Sequence, residues 1–124
     1  MTSVLIVEDD AFIRDITTIK FSEHDYETVA CASAEAALEA LDARAFDFVL
    51  LDLDLPDMSG LELLTQIKDH PHGTTAKIIV FTNSDDTTLK EQVTATGVVG
   101  LFAKAATPYE ELFALIEKTE APMT

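Results

Sequence analysis

Cysteine occurs once in the 124 residues, as Cys31, which excludes an internal disulfide and a thiolate metal cluster and points to a reducing compartment. Basic residues are also scarce. Eight Lys and Arg face 23 Asp and Glu, a formal net charge of −15, so the chain lacks the positive surface that phosphate-backbone binding requires, and direct nucleic-acid binding is excluded. Glycine is limited to Gly60, Gly73, Gly97 and Gly100, none in a glycine-rich loop of the kind that cradles a nucleotide phosphate. No apolar run approaches the roughly 20 residues that span a bilayer, which argues against membrane insertion. Met1-Thr2-Ser3 leads into a short aliphatic run that ends at Glu8-Asp9-Asp10, without the basic start or the length of a secretory signal. Together these absences describe a soluble, cytoplasmic protein.

What is present suffices for a packed core. Hydrophobic residues make up 48% of the chain, and the length suits one domain. We read residues 1–124 as a single domain with a frayed tail over 119–124 and no effector domain. Aliphatic runs at residues 4–7, 46–51, 78–82 and 98–103 read as strands buried on both faces, with a more polar fifth at 26–31. Segments of helical period lie between and after them. They carry Phe12, Ile13, Ile16 and Ile19; Ala34, Ala37, Leu38 and Leu41; Leu61, Leu64 and Ile67; Leu89 and Val93; and Tyr109, Leu112, Phe113 and Ile116. Ser33 and Ser84 are placed to cap helices, and Ser59 with Glu62 forms a capping-box pattern. Thr107 with Glu110 forms another, with Pro108 at the first helical position. Strand and helix alternating five times predict a (βα)5 α/β fold, a doubly wound sheet of five parallel strands with right-handed crossovers.

Open α/β sheets bind ligands beyond the carboxyl ends of their strands. There the chain places Glu8-Asp9-Asp10, Asp52-Leu53-Asp54, Thr82-Asn83-Ser84 and Lys104. Crowded carboxylates repel one another unless a cation joins them. An oxygen-only donor set suits a hard ion such as Mg²⁺, with Asp9 and Asp52 as direct ligands and Glu8 reaching it through water. Most acidic residues of such a chain are merely solvated, but three in succession directly after a buried strand are unusual for that role. Asp52 ends a strand in a partly dry setting, where a carboxylate can act as a nucleophile toward phosphorus. Lys104 closes a small apolar stretch and can pair with Asp52 or with a phosphoryl oxygen. Thr82 offers a hydroxyl to the same group. His70 and His72 flank Pro71 in the loop after the third helix, a surface position, and Cys31 reads as a small, half-buried apolar residue.

These residues resemble the receiver domain of two-component response regulators, a flavodoxin-like fold, in the stand-alone form of chemotaxis regulators and phosphorelay intermediates. The likeness rests on Glu8-Asp9-Asp10 with Arg14 following, on the run from Asp47 through Asp52 to Pro56 and Gly60, on Phe81-Thr82, and on Lys104. It implies that Asp52 accepts a phosphoryl group from a phosphohistidine on a sensor histidine kinase or a histidine phosphotransfer protein. It further implies Mg²⁺ on Asp9, Asp52 and the backbone carbonyl of Asp54, with Glu8 acting through water. Lys104, the Thr82 hydroxyl and a backbone amide near Asn83 would bind the phosphoryl oxygens. Such a domain is a self-phosphorylating switch with autophosphatase activity, not a conventional enzyme. Its output would be contact with a target protein through the fourth helix, fifth strand and fifth helix, residues 84–118.

Three positions depart from the family pattern. Ala105 stands where proline usually follows the lysine, and a cis bond before alanine costs about 3 kcal/mol, so we expect a trans bond or a strained cis bond there. Leu101 occupies the aromatic switch position, with Phe102 on the opposite face. Asn83 replaces a small residue. Asp54 and Ser84 hold the two variable positions that tune phosphoryl lifetime.

Three other readings share parts of this pattern. Asp52-Leu53-Asp54 has the spacing of the nucleophile and acid/base pair of haloacid-dehalogenase-type phosphatases, but Leu55-Pro56 and the missing C-terminal acidic pair depart from that motif. A degenerate receiver would bind partners without being phosphorylated, which Ala105 and Leu101 would suit but the full set Asp9, Asp52, Thr82 and Lys104 opposes. A flavodoxin-like cofactor binder would meet a repulsive acidic rim. Because the Asp54 carboxylate either repels or orients the attacking water, Asp54→Asn is expected to change the phosphoryl half-life. An unchanged half-life would remove Asp54 from that role.

Overall fold

The computed structural model describes residues 1–120. Five strands and five helices alternate: β1 Ser3–Val7, α1 Ala11–Glu23, β2 Glu27–Cys31, α2 Ala34–Ala43, β3 Phe48–Leu51, α3 Gly60–Asp69, β4 Lys77–Thr82, α4 Thr87–Ala95, β5 Gly100–Ala103 and α5 Tyr109–Glu120. All strand pairs are parallel, in the order β2-β1-β3-β4-β5. This is the expected doubly wound, flavodoxin-like arrangement. The strand order reverses between β1 and β3, which opens a crevice at their carboxyl ends.

Alternation along the central strands builds two cores. Leu5, Val7, Val49, Leu51, Ile78 and Val80 face α2, α3 and α4, where Leu41, Leu63, Ile67 and Val93 are buried with them. Val4, Ile6, Phe48, Leu50, Ile79 and Phe81 face α1 and α5 and meet Phe21, Leu112, Phe113 and Ile116. The second core is aromatic, with Phe21 and Phe113 edge to face at 4.9 Å and Phe81 6.0 Å from Tyr109. The Tyr109 hydroxyl shares a 2.9 Å hydrogen bond with buried Thr17, which ties α5 to α1.

Several expectations need correction. β5 is shorter than the run at 98–103 and only half-buried, because it is an edge strand with a neighbour on one side alone. The buried residues of α1 are Thr17 and Phe21, while Phe12 and Ile19 are 74% and 58% exposed. An apolar period of 3.6 allows neighbouring faces, and the Asp10 cap with the Thr17–Tyr109 contact selects the other one. Ser33 and Ser59 cap α2 and α3 as expected. The cap of α4 is Asp86 rather than Ser84, whose hydroxyl instead accepts the Asp86 N–H at 3.3 Å. α5 starts at Tyr109, after Pro108, and among the described residues Thr107 accepts no helix amide. It continues to Glu120, so residues 119 and 120 are helical. The rest of the expected tail, 121–124, lies outside the described residues. Every peptide bond of the described residues is trans, Lys104–Ala105 included.

The loop after β3 is anchored at two points. Asp57 accepts the N–H groups of Ala34 at 3.0 Å and Glu35 at 2.9 Å, so a residue of this loop satisfies the free amides that open α2. Gly60 donates its N–H to the Leu53 carbonyl at 3.0 Å, and a Cβ at Gly60 would lie 2.5 Å from the Leu53 Cα. Gly60→Ala is therefore expected to destabilise by about 1–3 kcal/mol, read as a lower urea midpoint. The two amide bonds hold the Asp57 carboxyl below its ordinary range. A depressed native pKa contributes stability above the unfolded value that is lost as pH falls through the native one. The gap in thermal midpoint between wild type and Asp57→Ala is accordingly expected to close on acidification below about pH 4.

Candidate functional site

Parallel register brings the candidate residues to one rim. Val7 pairs with Leu51 in the sheet, so Glu8 and Asp52 emerge side by side, each one step beyond its strand. Thr82 pairs with Ala103, which puts Lys104 one step past the end of β4. Glu8 and Asp52 are 4% and 5% exposed, buried because flanking strands and loops crowd the crevice.

Asp52 is held on both oxygens. The Thr82 hydroxyl donates to Oδ1 at 2.8 Å, and the Asp54 N–H reaches the same oxygen at 3.3 Å. Lys104 Nζ donates to Oδ2 at 2.7 Å and pairs also with Glu8. Glu8 accepts the Asp10 N–H at 3.1 Å through its other oxygen. Burial pushes the Glu8 carboxyl up, an effect that the bonds from Lys104 and the Asp10 amide only partly offset. Burial alone would push the Lys104 ammonium down, but its hydrogen bonds to Asp52 and Glu8 outweigh it and the net shift is upward. One ammonium thus serves two buried carboxylates.

Carboxylate oxygens of Glu8, Asp9 and Asp52 all lie within 4.8 Å of one another. Three negative charges and the one positive charge of Lys104 leave −2 at the rim. A divalent cation balances that charge, and an oxygen-only donor set suits Mg²⁺. Asp10, the third acid of the run, lies outside this group and caps α1 through Ile13 N–H at 3.0 Å. Arg14 donates to the Glu8 and Asp9 carbonyls at 3.0 and 3.3 Å and so braces the loop that carries the cluster.

The remaining predicted positions flank this centre. Asp54 is exposed and bridged to Ser59, and Ser84 N–H donates to the Thr82 hydroxyl at 3.1 Å. Leu101 packs toward the α4 side and lines a shallow groove with Thr87, Lys90 and Thr94, whereas Phe102 belongs to the α5 side. Leu101 therefore faces away from Tyr109, whose ring, from α5, lies 6.0 Å from Phe81. Asn83 and Ala105 are bonded to each other, Oδ1 accepting the Ala105 N–H at 2.9 Å. The sequence marks both as unusual but not as partners; their shared signal is that alanine at 105 keeps an N–H. Asp57 lies inside the run that carries the likeness and Tyr109 in the pattern of the fifth helix, but neither pattern names the partner each one braces. Cys31 is half-buried, its thiol pushed by burial to about 11, and takes no part in the site. His70 pairs with Asp42 at 2.7 Å, far from the rim in the α2–α3 packing.

Residues 4–117 match the family model described as the response regulator receiver domain. The chain is 32% identical over 87 residues to the response regulator ArlR of Staphylococcus saprophyticus, covering 70% of this chain but only 38% of that protein. Among solved structures, a CheY-like receiver domain protein from Methanospirillum hungatei superimposes with a TM-score of 0.86 at 28% identity, covering 95% of this chain and 93% of that one. The response regulator TrrA of Thermotoga maritima, solved in complex with Mg²⁺ and BeF, gives a TM-score of 0.82 at 26% identity over 95% of this chain and 98% of that one. Removing one partner of a buried ion pair leaves an uncompensated charge. Lys104→Met is expected to destabilise the protein by about 3 kcal/mol in equilibrium denaturation at neutral pH without divalent cations.

Proposed function

This chain belongs to the response regulator receiver family, and from that premise we propose that Asp52 is its phosphoacceptor and that phosphorylation switches contacts with a partner protein. The observation that carries this reading is the convergence of Lys104 and Thr82 on the two oxygens of one buried carboxylate. An Asp52 oxygen attacks phosphorus, the P–N bond of a partner's phosphohistidine breaks, and the electron pair leaves with the imidazole. A loose transfer of this kind asks the protein chiefly for positioning and charge stabilisation. Lys104 and the Thr82 hydroxyl, both already donating to Asp52, turn their donors to the phosphoryl oxygens, joined by the backbone amide near Asn83.

Asp9, Asp52 and the backbone carbonyl of Asp54 would hold Mg²⁺, with Glu8 acting through water, and the bound ion would neutralise charge on the phosphoryl oxygens. The mutual closeness of the three carboxylates, and the Mg²⁺ with which the similar TrrA was solved, support Mg²⁺ binding at this rim. Hydrolysis of the acyl phosphate resets the domain, with Asp54 and Ser84 flanking the path of the attacking water. The phosphodonor is a sensor histidine kinase or a histidine phosphotransfer protein. The output face comprises α4, β5 and α5, which adjoin Thr82 and Lys104 directly in the chain. A partner shifts the domain only through contacts that differ between its two states.

Intact-mass spectrometry after incubation with an acyl phosphate and Mg²⁺ tests the reading. A single phosphoryl adduct is expected in the wild type and none in Asp52→Ala or in the presence of a chelator. An adduct that persists in Asp52→Ala would overturn the assignment.

A further inference from the structure

Two departures from the family pattern meet in space. The Asn83 side-chain oxygen accepts the Ala105 N–H at 2.9 Å, joining the loop after Thr82 to the loop after Lys104. Proline has no N–H to offer, so this bond is open only to a chain that lacks the family's proline at 105. One residue earlier, the Lys104 N–H donates to the Thr82 carbonyl at 3.0 Å. Consecutive amides on either side of the Lys104 backbone are thereby tied to consecutive residues of the β4 end.

The tie falls where other support is weak. β5 is a half-buried edge strand of four residues, so the sheet holds Lys104 from one side only. Beyond it, an open cavity of about 280 Å³ separates Asn83, Lys104 and Ala105 from Ile13, Phe81 and Tyr109 on its other walls. We propose that Asn83 is a positioning residue for phosphoryl transfer, its bond to Ala105 N–H holding Lys104 over Asp52 in place of the rigidity that proline would supply. The inference rests on the assignment of Lys104 and Asp52 above. Asn83 acts through Lys104 and, among the described residues, makes no hydrogen bond of its own to Asp52 or Glu8.

Phosphorylation time courses with an acyl phosphate and Mg²⁺, followed by intact mass, test this in wild type, Asn83→Ala, Ala105→Pro and the double variant. One exposed hydrogen bond is expected to change the rate by about two- to fivefold in Asn83→Ala, with the thermal midpoint nearly unchanged. In the Ala105→Pro background the bond is already absent, so Asn83→Ala is expected to add nothing, whatever the rate of Ala105→Pro itself. Hydrogen exchange gives a readout independent of the chemistry. The Ala105 amide should be protected in wild type and in Asn83→Asp, which keeps an acceptor oxygen, and lose protection in Asn83→Ala. A wild-type rate in Asn83→Ala, or full additivity in the double variant, overturns the positioning role while Asp52 stands. A wild type that takes no phosphoryl group overturns the assignment of Asp52 and this inference with it.

Discussion

The ammonium of Lys104 lies between the carboxylates of Glu8 and Asp52, all three are largely withdrawn from solvent, and each leaves the carboxyl end of a different strand. A buried charge pair is tolerable only when geometry and supplementary hydrogen bonds satisfy it. Here the Asp10 amide serves Glu8, and the Thr82 hydroxyl and Asp54 amide serve Asp52. With Asp9 the rim still carries surplus negative charge, which suits a divalent cation.

Much of the remaining structure keeps these groups in register. Parallel pairing of β1 with β3 and of β4 with β5 sets Glu8, Asp52 and Lys104 at one level. The loop that follows Asp52 is fastened at its far end by Asp57 on the first turn of α2 and by the close approach of Gly60 to Leu53. The acidic loop after β1 is braced by Arg14 through two carbonyls. The Lys104 loop has the thinnest support, an edge strand and the bond from Asn83 to Ala105. Mobility at the site is therefore expected first on the β5 side, which is also the side next to the α4 and α5 surfaces.

The strands and the rim residues were legible in sequence because they obey short-range rules. Buried strands read as aliphatic runs, the α3 cap as Ser59 followed three residues later by Glu62, and the reactive groups as polar residues at the ends of those runs. The face of α1 is only partly legible: of Phe12, Ile13, Ile16 and Ile19, Ile13 and Ile16 are half-buried and Phe12 and Ile19 exposed, because the stripe that packs is centred on Thr17, a polar residue bonded to Tyr109 opposite. The Ser84 cap was misassigned for a related reason: Ser84 and Asp86 both have the chemistry, and only the path of the loop from Thr82 decides which one meets a helix amide.

The sequence by itself determined the alternation of five strands and five helices, the carboxylate, hydroxyl and amine types at the strand ends, and through them the family and its chemistry. Those features reside in periodicity and in residue identity, which need no partner to be read. Only the tertiary structure decided that Lys104 serves Glu8 as well as Asp52, that Asp57 closes α2, that Tyr109 rather than residue 101 stands beside Phe81, and that Asn83 meets Ala105. Each of these contacts joins residues more than 20 positions apart. Their distances are fixed by strand register and by which helix face packs, and no local pattern in the chain encodes them.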